Sequence, residues 1–152
     1  MKAAARTVLA SLALLALNCA HAFIVAPAAK EEPAVDVDWS AEFSAVKDAY
    51  AAAKEGLEAR VAAGDWQGVM TQAQGLDQSF RKRLMGGLRK RFPKESKALK
   101  EEALLLCNAV TFDLIAINKA GRSKDEPAAR EALAVLDADV GKFLALEPQL
   151  LQ

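Results

Sequence analysis

Histidine is almost missing from this sequence, and cysteine nearly so. The 152 residues hold one histidine, His21, and two cysteines, Cys19 and Cys107. His21 and Cys19 fall in a leader that reads as cleaved, which leaves Cys107 alone. A lone cysteine forms no internal disulfide, and a chain without histidine lacks the usual base at physiological pH. Cys107 sits among Leu104, Leu105, Leu106 and Val110 and reads as a small buried hydrophobe rather than a nucleophile. Metal sites in helical bundles use Glu-x-x-His motifs on facing helices, and none is present. Haem would need an axial histidine or a methionine pair, and only Met70 and Met85 follow the leader. No glycine-rich loop follows a strand-like segment, which removes a phosphate cradle. Together these absences argue against an enzyme and against any bound cofactor or metal. Period-two alternation is missing too, and β-branched residues are sparse, so a sheet is not expected.

What is present begins with a targeting signal over residues 1–22. Lys2 and Arg6 precede the apolar run Val8 to Leu17, and Ala20-His21-Ala22 has the small-x-small form of a cleavage site. The run is about half the roughly 20 residues that a membrane span needs. Cys19 suggests a lipoprotein, but Leu17-Asn18 before it lacks the small residue such sites place next to the cysteine. Cleavage before Phe23 is the reading adopted. A phenylalanine directly after such a site resembles the presequences of algae whose plastids came from a eukaryotic endosymbiont.

Residues 23–39, with Pro27, Pro33 and scattered alanines, show no period and read as an extended arm. From there apolar residues recur at three and four. Helix one, 40–62, carries Phe43, Val46, Tyr50, Ala53, Leu57 and Val61, with Ser40 as N-cap. Gly64 ends it and Asp65 caps the next. Helix two, 66–91, carries Trp66, Val69, Ala73, Leu76, Phe80, Leu84 and Leu88. Gly86-Gly87 inside it cost about 1 kcal/mol each against alanine, which close packing or a local bend would explain. Helix three, 94–120, carries Leu99, Ala103, Leu106, Val110, Leu114 and Ile117 and stops at Gly121. Helix four, 124–146, opens on a Ser123-x-x-Glu126 capping box and carries Ala129, Leu133, Leu136, Val140 and Phe143, with Pro148 ending the regular structure. Four amphipathic helices with short connections predict an all-α, up-down-up-down four-helix bundle over 40–148. Asp113 and Asn108 lie near the stripe of helix three, either satisfied within the bundle or in contact with a partner.

Charge is the strongest functional signal. From Arg81 to Lys100 there are nine cations (Arg81, Lys82, Arg83, Arg89, Lys90, Arg91, Lys94, Lys97 and Lys100) and one acid, a segment of +8. Phe23–Phe80 carries −6 and Glu101–Gln152 carries −4. Unneutralised cations at this density repel one another, so an acidic protein surface is favoured as partner over a passive solvated face. Nucleic acid is disfavoured, because Phe80 and Phe92 fall on the core stripe rather than among the charges. A membrane surface is disfavoured, because no exposed face is expected to pair bulky apolar residues with the cations.

The order of these features resembles the PsbQ family, the extrinsic oxygen-evolving enhancer subunits of photosystem II. Gly64-Asp65-Trp66 ends a first helix just before a tryptophan. Arg81, Leu84, Met85 and Leu88 follow in a long second helix, and Pro93-Lys94-Glu95 makes the turn, with Lys97, Leu99 and Lys100 beyond it. Asp113 lies in the third helix, Ser123 to Glu126 opens the fourth, and Phe143-Leu144-Ala145-Leu146-Glu147-Pro148 closes it. The match spans about residues 64–148; helix one matches in length and character. The long proline-rich arm of the plant form and the lipobox of many cyanobacterial members are absent. The resemblance implies a non-catalytic subunit in the plastid thylakoid lumen, peripheral to the membrane. It would dock on acidic surfaces of the photosystem II core and other extrinsic subunits and support calcium and chloride retention. Alternatives are a related subunit of another thylakoid complex (photosystem I or NDH), or a small exported ligand carrier or enzyme.

Overall fold

The computed structural model describes residues 37–151, and these are all helical, with no strand among them. The leader 1–22 and the arm up to residue 36 lie outside the described residues. Four helical stretches share one core. They are α1 (Trp39–Ala62), a second stretch from 66 to 91, α4 (Lys97–Ser123) and α5 (Glu126–Leu144), followed by the short α6 (Glu147–Leu150). The second stretch is not uniform. It comprises α2 (Trp66–Leu76), a π-helical segment, π1 (Asp77–Met85), and α3 (Gly86–Arg91).

Two helices follow their expected stripes throughout. All six stripe residues of α1 are buried, and so are all five of α5, joined by Ala132. Phe43 joins the two helices through the ring of Phe143 at 5.9 Å. The ends are set by carboxylates rather than by the expected serines. Asp38 caps α1, accepting from the Ala41 amide at 3.0 Å, so the helix begins at Trp39, one residue before the expected Ser40 cap. Asp125 caps α5 by accepting from Ala128 at 3.0 Å. The expected Ser123 capping box does not form, because the Ser123 hydroxyl turns back to donate to the carbonyls of Lys119 and Ala120. A charged acceptor at the positive end of a helix outcompetes a hydroxyl.

The second stretch departs from its expected stripe. Phe80 and Met85 are buried, Met85 completely, whereas Leu84 is 37% exposed. A π-helix advances the chain by more residues per turn than an α-helix. The next inward position after Phe80 is therefore five residues on, not four. Leu84, expected in the core, is rotated out, and Leu88 returns to it. The helix runs on through Gly86 with helical dihedrals. A Cβ at Gly86 would stand 3.3 Å from the Arg81 carbonyl, while at Gly87 it would meet nothing. Close packing therefore explains at most the first glycine.

In α4 the inward line passes through Cys107, with Leu106 only partly buried. The helix starts at Lys97, three residues later than expected, because residues 93–96 form a turn in which the Ser96 amide donates to Pro93. Gly121 does not stop it. Gly121 is buried where α4 crosses α2, and a Cβ there would come within 2.9 Å of the Met70 side chain. Asn118 reinforces the crossing by donating to the Met70 carbonyl at 3.3 Å. The helix ends two residues further on, with Lys124 in the left-handed conformation (φ 56°). Pro148, expected to end regular structure, is the second residue of α6 instead, in the first turn where its missing N–H costs nothing.

Candidate functional site

The nine predicted docking cations are carried by π1, α3, the following turn and the first turn of α4. The turn is held by its one aromatic residue. Phe92 is 2% exposed and packs edge-on to Trp39 at 5.7 Å and stacks on Phe43 at 6.3 Å. With Phe92 buried and Pro93 limiting the backbone, the chain reverses at a fixed point. Lys90, Lys94 and Lys97 stand exposed around it.

The structure divides the nine rather than presenting them as one outward face. Arg81 is half-buried and bonds Asp77 with both Nε (2.9 Å) and Nη2 (2.6 Å). Lys82 reaches the other Asp77 oxygen at 3.3 Å. Burial works to raise the Asp77 pKa, but the hydrogen bonds and charges of Arg81 and Lys82 outweigh it and hold the carboxyl below its ordinary value. Arg91 pairs with Glu42 of α1. Arg89 is half-buried toward α4. Burial pushes the Cys107 thiol up, and the nearby positive charges of Arg89 and Arg81 partly offset this.

The expectation that the cations lack counter-ions is thus corrected. Among the described residues, Arg83, Arg89, Lys90, Lys94, Lys97 and Lys100 form no ion pair, but the other three do. Asp77 was legible as an acid four residues before Arg81 on a helix. Glu42 comes from a different helix, and no local pattern reveals it.

Away from the corner, a groove of about 530 Å³ runs between α2, π1 and α4 over Ala73, Thr111, Leu114 and Asn118. Its one carboxylate, Asp77, is the residue already engaged by Arg81 and Lys82.

Two further expectations change. Asp113 is buried, at 8% exposure, with Oδ2 lacking a hydrogen-bond partner among the described residues, so it is not satisfied within the helices. Burial, then repulsion from Asp139, raise its pKa to about 6 against the pull of Lys142. Asn108 is exposed. And bulky apolar side chains do stand in solvent near cations. Leu105, Phe112 and Ile115 are 64%, 69% and 58% exposed on the back of α4, with Lys119 one turn beyond. The signal was in the sequence, since α4 has large apolar residues on both sides of its inward stripe.

Comparison of the chain with protein-family models, with curated proteins and with solved structures finds no match.

Proposed function

We propose that this protein is a non-catalytic, extrinsic subunit of photosystem II in the thylakoid lumen. It would be an up-down-up-down four-helix bundle with an extended N-terminal arm, docking by its basic corner on acidic surfaces of the complex. The observation that carries the reading is the corner itself. Phe92, Trp39 and Phe43 fix it, and Lys90, Lys94 and Lys97 stand exposed there without an ion pair among the described residues. Rigid presentation matters because a pre-ordered cationic surface loses little entropy on binding. The order of features shared with the PsbQ family supplies the identity of the complex. Contacts across α1 favour the antiparallel arrangement, since Phe43 meets Phe92 and Phe143 at one end and Lys54 meets Asp137 further along.

The test is a wash of thylakoid membranes at about 1 M salt, where the Debye length falls to roughly 3 Å. The protein should be released, and oxygen evolution at limiting calcium and chloride should fall and recover on re-addition. Release with no change in oxygen evolution, or co-purification with photosystem I or NDH instead, would reject this reading.

A further inference from the structure

The back of α4 carries a second surface, whose first residue, Glu101, stands one turn beyond Lys97 of the basic corner. On most amphipathic helices the solvent face is charged. Here, from Leu104 to Asn118, the only ionisable side chains besides Cys107 is Asp113, and both are buried. The outward residues Glu101, Leu105, Asn108, Phe112, Ile115 and Lys119 follow one another at alternating steps of four and three. That is the spacing of a helix–helix seam, and an exposed phenylalanine at its centre leaves a large apolar area in water.

The ends of the seam decide what covers it. Glu101 at the start and Lys119 at the finish are both exposed and have opposite charge. Two copies of α4 packed antiparallel about a two-fold axis beside residue 110 would place Leu105 against Ile115, Phe112 against Asn108, and Glu101 against Lys119, each pair formed twice. Parallel pairing would match Asn108 with itself, but would set Glu101 against Glu101 and Lys119 against Lys119. An anionic membrane would meet the like charge of Glu101 at one end of the inserted face. A second copy in antiparallel register satisfies both the apolar centre and the charged ends, as an isologous contact requires. We infer that the protein forms a symmetric dimer through the outward face of α4, with its two-fold axis between Asn108 and Phe112.

The test is sedimentation equilibrium of the purified protein, in reductant so that Cys107 cannot bridge copies. The wild type should show a concentration-dependent monomer–dimer equilibrium. Phe112→Asp, at an exposed position, should keep the helical circular dichroism and weaken the dimer by about 100-fold or more, as central hot-spot truncations do. Glu101→Lys should weaken it by about thirtyfold, because two pairs are reversed at on the order of 1 kcal/mol each. Adding Lys119→Glu to the same chain should restore it. A parallel dimer would respond to neither exchange, so an unresponsive dimer overturns the register. A protein that stays monomeric at all concentrations overturns the proposal. So does a monomer that floats with anionic vesicles and loses this with Phe112→Asp, which would make the face a lipid-binding one. The apolar part of the seam, Leu105 to Ile115, lies two or more turns beyond Lys97, so failure here leaves salt-dependent docking to be judged separately.

Discussion

Helix α5 and the stretch from Trp66 to Arg91 are built from similar residues yet behave differently. In α5 the apolar residues recur at three and four, every stripe residue is buried, and nothing interrupts the backbone. The second stretch has the same apparent period, but a π-helical segment shifts its inward line by one position, burying Met85 and exposing Leu84. Arg81, within the same segment, is half-buried and pairs with Asp77 at the ordinary i,i+4 spacing. A single local change in helix type thus decides which side chain fills the core. π-helical turns often occur at functional sites, and this one carries Arg81, Lys82 and Arg83 of the basic segment.

The sharpest way to break this comparison is to exchange the two neighbours. Met85→Ala should destabilise the protein by about 2–5 kcal/mol, the range for a fully buried large side chain, while Leu84→Ala should cost under about 1 kcal/mol. Urea denaturation of the two variants gives the order directly. The reverse order would mean that the stretch is α-helical throughout.

A second test contrasts the uncharged interior of α1 and α5 with the one buried carboxylate of α4. The pKa of Asp113 is raised to about 6 in the folded protein. A raised carboxylate binds its proton more tightly folded than unfolded, so its protonation stabilises the fold. That stability is fully present below about pH 4, is lost as pH rises through about 6, and amounts to at most about 3 kcal/mol. Asp113→Asn should flatten this part of the stability–pH curve. A wild-type curve with no loss between pH 4 and 7 would mean that Asp113 is solvated.

Smaller effects compare the helix ends. Asp125→Ala should cost about 1 kcal/mol through loss of the α5 cap, and Ser123→Ala only a few tenths. Thermal melts that rank Ser123 first would restore the capping box.

The all-helical character and the stripes of α1 and α5 were legible because their burial follows one uninterrupted period. Leu84 and Leu106 were misassigned for a related reason. Each stands beside another residue that can be buried, Met85 or Cys107, and the choice depends on helix type and crossing geometry rather than composition. The basic segment was legible as a charge count, but its partition was not. Asp77, four residues before Arg81, is visible in the sequence, but Glu42 lies on α1 and becomes visible as a counter-ion only once the helices are packed. Gly121 misled because a glycine that permits close approach looks, in sequence, like one that ends a helix.

The basic corner is the centre of the functional account, and charge reversal there tests it most directly. A variant carrying Lys90→Glu, Lys94→Glu and Lys97→Glu changes only exposed side chains with no ion pair among the described residues, so its stability should stay within about 1 kcal/mol of wild type. Both proteins would be added back to salt-washed thylakoid membranes and the bound fraction measured at low ionic strength. The account predicts that the wild type rebinds and the folded triple variant does not. Equal rebinding of the two would contradict it.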